Sequence, residues 1–186
     1  VVDELAHPST WGIARRLRHG PRDIVTFAGR ITQQKGARFF IEAAAKVLAH
    51  RDDTVFVMAG SGDRMASIRE QVMREGIADR VLMPGYLDQP TLRRLLERTK
   101  VFVMPSVSEP FGLGAMDAIE AGVPVVVSNT AGVGEAVEHV LRVDFWDTDQ
   151  IASKICAVLD HPGLADELKT KARLEMQQLT WQHSAE

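Results

Sequence analysis

The sequence predicts an open, doubly wound α/β sheet of parallel strands, and three observations carry that expectation. Apolar runs without polar alternation, such as Thr54 to Ala59 and Val101 to Met104, point to strands buried on both faces, as in parallel sheets covered by helices on either side. Such runs alternate with helical segments about five or six times along the chain. Polar or glycine-marked loops follow the strands, and right-handed crossovers would place those loops on one rim.

Residues 1–22 (VVDELAHPSTWGIARRLRHGPR) hold Pro8, Gly12, Gly20 and Pro21 and no long periodic pattern, so they read as a connector or lead-in with room for one short helix. The repeat starts with a strand, Asp23 to Gly29, and a polar loop, Arg30 to Gly36. Phe39, Phe40, Ile41, Ala44, Val47 and Leu48 then recur at helical spacing up to His50. Thr54 to Ala59 is a second strand, closed by Gly60-Ser61-Gly62-Asp63. The helix Arg64 to Glu75 after it ends at Gly76 in a C-cap role. A third strand, Arg80 to Met83, enters the loop Pro84 to Asp88, and Asp88 caps a helix from Gln89 to Thr99 whose Leu92, Leu95 and Leu96 face inward.

Val101 to Met104 is the fourth strand. A loop with Glu109-Pro110-Phe111-Gly112 leads into a helix from Leu113 to Ala121, and a fifth strand starts at Pro124. A short helix is predicted over Glu135 to Val140 and a sixth strand over residues 141–146 (LRVDFW). Asp147 and Gln150 are spaced as a capping box for a helix from Gln150 to Leu159. His161-Pro162-Gly163 breaks it, and a last helix runs to about Leu179.

With 186 residues the chain can bury a core without a metal or disulfide staple. Its net charge of −3, with both signs interspersed, offers no broad basic face for nucleic acid. The single cysteine, Cys156, has no internal partner, which fits a reducing, cytoplasmic compartment. No apolar run approaches a membrane span and no signal peptide is visible. A start at Val1 rather than methionine leads us to expect a piece of a longer polypeptide. The six histidines show no HExxH or CxxC context, so no dedicated metal site is expected, and His139 reads as a surface residue.

The chemistry gathers on the loops that follow the strands. Arg30 and Lys35, in G-R-x-x-x-x-K-G after the first strand, are two cations on a flexible loop that can close on a diphosphate from two sides. Taken alone they would be solvated surface charges; their place on the same rim as Glu109 argues for more. The helix that starts after Gly112 offers free N–H groups and a positive dipole end to an anion. Glu109 would repel phosphate, so it accepts hydrogen bonds from hydroxyl groups instead, and phosphate beside hydroxyls suggests a nucleotide sugar. Phe111 is expected to turn its ring inward, and Asp117, about one turn into the helix, either points back toward the loop or is a plain solvent-facing acid. Gly60-Ser61-Gly62 lacks the spacing of a dinucleotide or P-loop motif. No serine sits in a G-x-S-x-G elbow.

Taken together, GR-x4-KG, MAGSGD, MPGYLD and PSVSEPFGLGAMDAIEAGVPVV resemble the C-terminal, donor-binding domain of retaining glycosyltransferases of the GT-B fold, in the family 4 group. Thr180-Trp181 is similar to that family's closing signature. The resemblance implies a Rossmann-like doubly wound parallel sheet, one half of a GT-B glycosyltransferase. Residues 1–22 would be the connector, residues 23–186 the nucleotide-sugar domain, and the N-terminal acceptor domain would be absent. It implies that Arg30 and Lys35 hold the donor diphosphate and that Glu109 binds the sugar hydroxyls. Gly29, Phe111, Gly112 and Leu113 would lie beside sugar and phosphate, Leu87 at the base and Asp117 at the ribose. The donor would be a UDP-, GDP- or ADP-linked sugar, serving as substrate, with no metal or other cofactor. Two departures stand out: Asp117 replaces the usual glutamate, and RVDFWD replaces a glycine-containing segment.

Hexosyl transfer with retention to an acceptor held elsewhere is therefore the expected activity, the isolated chain being inactive. A non-catalytic GT-B-like interaction or regulatory module is the alternative. An epimerase of nucleotide-linked sugars is disfavoured for want of further acids and histidines placed as a proton-abstracting pair.

Overall fold

The computed structural model describes residues 23–178. In chain order the elements are β1 (Asp23–Ala28), α1 (Ala37–Leu48), β2 (Thr54–Ala59), α2 (Met65–Arg74), β3 (Val81–Gly85), α3 (Gln89–Leu96), β4 (Val101–Met104), α4 (Leu113–Glu120), β5 (Val125–Ser128), α5 (Val133–Ala136), β6 (Leu141–Val143), α6 (Thr148–Asp160) and α7 (Pro162–Gln178). Every pairing is parallel, and the strands form one sheet in the order β3-β2-β1-β4-β5-β6. The chain steps outward from β1 to β3, then crosses back to the far side of β1 for β4. The helices that follow β1 and β4 consequently lie on opposite faces of the sheet, which opens a crevice at the carboxyl ends of these two strands.

β2 and β4 are buried at every residue, which is why their sequences show no polar alternation. One face of the sheet presents Val25, Phe27, Phe56, Met58 and Val103 to a core closed by α1, α2 and α6. On the other face Ile24, Val55 and Val57 meet Leu95 of α3, while Phe102, Met104, Val125 and Val127 pack under α4 and α7. Phe40 sits between Phe27 and Phe56, with ring centroids 5.6 and 5.5 Å away. Fully burying a side chain of this size contributes about 1.5–3 kcal/mol.

The structure departs from the sequence expectation at several boundaries. β3 runs on through Pro84 to Gly85, which an outermost strand tolerates because one of its edges needs no N–H donors. α3 stops at Leu96, short of Thr99, whose hydroxyl instead bonds the Leu95 carbonyl and the Thr26 hydroxyl at 2.9 and 2.8 Å. In place of a helix over Glu135 to Val140 there is the short α5, and the chain is extended at Val137. Val137 and Val140 are buried, and the Glu175 carboxylate takes the N–H groups of Glu138 and His139 that a helix would have used.

β6 ends at Val143 because Phe145 turns away to pack on Phe39, with centroids 5.3 Å apart. Half of the capping box forms: Asp147 accepts the Gln150 N–H at 2.9 Å, while its own N–H bonds the Asp144 carbonyl at 3.0 Å. α6 therefore starts at Thr148 rather than Gln150, and Pro162 opens α7 directly. Residues 1–22 and the Thr180-Trp181 signature lie outside the described residues.

Candidate functional site

β1 runs into the crevice, and the chain leaves it through Gly29 into the loop with Arg30 and Lys35. Gly36 ends this loop at φ 70°, where a Cβ would lie 1.8 Å from the Pro105 carbonyl oxygen, so only glycine lets the loop seat on the chain leaving β4. Beside it the Val107 N–H donates to the Gln34 carbonyl at 2.8 Å. These contacts fasten the loops after β1 and β4 together, and they bring Lys35 to Glu109, 74 positions further along the chain.

Glu109 is 8% exposed. A carboxylate this buried needs partners, and it has them. Its Oε2 is paired with the Lys35 ammonium, and its Oε1 accepts the Gly112 N–H at 3.2 Å. The Glu109 carbonyl accepts the Gly132 N–H at 2.9 Å, which pins the loop to the chain after β5. Gly112, at φ 80°, turns the chain into α4; a Cβ there would meet the Val133 side chain at 2.8 Å. Ala115 and Met116 donate to the Gly112 carbonyl at 2.9 and 3.0 Å, so the first-turn N–H groups of Leu113 and Gly114 stand at the cavity without a helical acceptor. Gly114 also allows the helix to approach β1, since a Cβ there would lie 3.3 Å from the Ala28 carbonyl oxygen.

The walls enclose about 390 Å³ and include Gly29, Arg30, Lys35, Leu87, Glu109, Phe111, Leu113 and Asp117. That is within the usual range for a small-molecule site. Arg30 is exposed at its mouth. Gly112 stands behind the Glu109 carboxylate, which it holds through its N–H. Asp117 is half-buried, and burial, with the Glu120 carboxylate second, raises its carboxyl above the ordinary aspartate value.

Two expectations are overturned, the first at Phe111. The Phe111 ring does not pack inward; it is 73% exposed at the mouth of the cavity, with Leu113 at 67% and Tyr86 at 77%. The turn through Gly112 that aims α4 at the cavity carries Phe111 away from the core. Gln89, Leu92 and Met104 also line the cavity, and sequence reasoning missed them in that role. Leu92 and Met104 read as core, although the last residue of β4 and the first turn of α3 necessarily face the crevice in this topology.

His139 is also not a plain surface residue. Its ring pairs with Glu175 Oε1, while Glu175 Oε2 accepts the Glu138 and His139 N–H groups at 2.8 and 3.1 Å, tying α7 to the segment before β6. The ligand atoms of Glu138, His139 and Glu175 lie within 4.8 Å of one another, but both oxygens of Glu175 are already occupied by these bonds. Among the described residues no helix is long and apolar enough to cross a membrane.

Known proteins share this sequence pattern and this fold. The family model for glycosyl transferases group 1 matches residues 13–175. A glycosyltransferase of Methanocaldococcus jannaschii is 33% identical over 167 residues, covering 87% of this chain and 42% of its own. The chain spans about two fifths of the length of the curated relatives it matches. Among solved structures, the C-terminal domain of a glycosyl transferase group 1 family protein from Francisella tularensis superimposes with a TM-score of 0.79 at 21% identity, covering 89% of each chain. An Anabaena protein solved with UDP-glucose gives 0.80 at 21% identity, over 94% of this chain and 50% of the other. The shared fold is one Rossmann-like half of a GT-B glycosyltransferase, and by sequence this chain belongs to the glycosyl transferases group 1 family.

Proposed function

We propose that the chain is the donor half of a retaining, metal-independent glycosyltransferase of the family 4 group that moves a hexosyl unit from a nucleoside diphosphate to an acceptor bound by another domain. The observation that carries this reading is the convergence of Arg30, Lys35, Glu109 and the start of α4 on one cavity at the point where the strand order reverses. Two cations and a helix N-terminus face the volume where a diphosphate would lie, and they supply the charge that a divalent ion would otherwise neutralise as the leaving group departs. Glu109, buried deeper and acceptor-only when ionised, suits the hydroxyls of a sugar and disfavours phosphate at its end of the cavity. In this reading Asp117 takes the ribose and Leu87 the base, and both line the cavity. The Anabaena neighbour, solved with UDP-glucose, supports a UDP-hexose as the first donor to try.

In this reading residues 23–186 form the donor domain, residues 1–22 connect it to the acceptor domain, and the whole works in the cytoplasm. The greater length of the relatives agrees with a further domain. The chain alone then binds a nucleoside diphosphate and turns nothing over. Titration calorimetry of UDP, GDP and ADP against wild type and Arg30→Ala tests this. One nucleotide is expected to bind, about tenfold or more weakly to the variant, the loss of a charge-assisted hydrogen bond. Equal affinity of both proteins for every nucleotide would refute it.

A further inference from the structure

A second groove, of about 560 Å³, lies between α1 and α2 and shares no lining residue with the donor cavity. The same two loops nevertheless contribute to both. The loop after β1 gives Arg30 and Lys35 to one and Thr32 and Gln33 to the other; the loop after β4 gives Glu109 to one and Val107 to the other.

The charge in this groove is unbalanced. Arg38, Arg64 and Arg74 line it against the single carboxylate of Glu70. Arg38 and Arg64 have only loose acidic neighbours outside the lining, Glu42 at 3.6 Å and Asp63 at 3.9 Å, and Arg74 has none within ion-pair distance among the described residues. Arg64 is held in place by its N–H on the Ile31 carbonyl and its guanidinium on Gln33 Oε1, each at 3.1 Å. Arg38 is steered by lying over the Phe39 ring, 4.5 Å from its centroid.

Phe39 is in turn braced by Phe145, from the RVDFWD segment for which the sequence offered no role. Among the described residues the buried Thr32 hydroxyl has no hydrogen-bond partner, which leaves a polar group of this loop unsatisfied beside the groove. Guanidinium groups oriented around a pocket with too few carboxylates form a receptor for phosphate, which they bind bidentately.

We infer that the groove between α1 and α2 is a second ligand site, for a small phosphorylated molecule. The aromatic wall of Phe39 and Phe145 gives the ligand's carbon skeleton a surface, and Arg38 and Arg74, at the end of the groove where the Gln71 amide donates to the Arg38 carbonyl, take its phosphate, with Arg64 at the other end of α2.

The test is an amide-shift titration of the 186-residue chain by NMR, with glucose 6-phosphate as probe, glucose as the uncharged control and inorganic phosphate to separate the anion from the skeleton. Saturable shifts are expected at Thr32, Gln33, Ser67, Gln71 and Phe145 with glucose 6-phosphate, weaker ones with phosphate and none with glucose. Arg74→Gln alters an exposed side chain and leaves the fold intact, and it should weaken the probe about tenfold, whereas Arg30→Ala should not change its affinity. Shifts that rise linearly without saturating, shifts confined to the residues around Arg30 and Gly114, or an affinity unmoved by Arg74→Gln would each overturn the assignment. Because the readout lies in residues outside the donor cavity, failure here and failure of the donor reading are distinguishable.

Discussion

Glu109→Gln removes a charge from the donor cavity while nearly preserving its shape, and it should move nucleotide affinity and catalysis in opposite directions. The Lys35 ammonium is engaged by Glu109, and both side chains are sheltered, 22% and 9% exposed respectively. On the proposed function a diphosphate needs that ammonium, so binding must first loosen a sheltered, charge-assisted contact. A hydrogen bond of that kind is worth about 1.5–3 kcal/mol net. At 1.4 kcal/mol per tenfold in affinity, releasing Lys35 should strengthen nucleoside diphosphate binding by roughly tenfold to a hundredfold. Loss of the repulsion between Glu109 and the phosphates acts in the same direction. The amide can still accept the Gly112 N–H, so the loop should keep its course.

The assay is calorimetric titration of whichever nucleoside diphosphate binds wild type, repeated at raised salt. The variant's advantage should persist there, because a sheltered pair is screened less than an exposed one. In the longer protein the same substitution should lower kcat, since a neutral amide orients a sugar hydroxyl less strongly than a carboxylate. Nucleotide binding that is unchanged or weaker in Glu109→Gln would refute the view that Lys35 is held in reserve by Glu109.

Gly36→Ala should lower stability by about 2–4 kcal/mol, from the overlap with the Pro105 carbonyl together with the left-handed backbone, and should weaken nucleotide binding because Lys35 sits on the displaced loop; urea unfolding and the same titration would check both. Phe111→Ala should leave stability within about 0.5 kcal/mol of wild type, where a core phenylalanine would cost about 3–5, and a large drop in the urea midpoint would show the ring to be buried after all. Burial pushes the Glu175 carboxyl up, but the N–H groups of His139 and Glu138 and the His139 ring outweigh it and hold the carboxyl below its ordinary value of 4.5. Its stabilising effect is thus fully present above the unfolded value and is lost as pH falls through the lower folded one. Urea midpoints followed downward from pH 6 should fall less steeply in Glu175→Gln than in wild type, and parallel curves would count against the clamp.

How much of this was readable from the sequence depends on whether the determining contacts are local. Strands such as TVFVMA are buried at all six positions, so their unbroken apolar character announces both the strand and its place inside a covered parallel sheet. Once that sheet is granted, right-handed crossovers put the loops after β1 and β4 on one rim, and Arg30, Lys35 and Glu109 could be assigned to a common side. The ion pair between Lys35 and Glu109 was not readable, because it rests on Gly36 meeting Pro105 and on Gln34 accepting from Val107, contacts between segments some seventy positions apart.

Residue type misled at Phe111 for a related reason. An aromatic is buried only where the backbone points it inward, and the φ of 80° at the neighbouring Gly112 serves the direction of α4 instead. At residues 137–140 the local pattern favoured a helix, yet a carboxylate from α7 and two buried valines hold the chain out of one. RVDFWD shows the same logic from the other side: its meaning lies in Phe145 bracing Phe39, a partner more than a hundred residues earlier in the chain, and no local period or spacing could have announced it. Function in this fold is written in contacts between successive rim loops, so a sequence can name the loops that carry the chemistry well before it can say which residues on them touch.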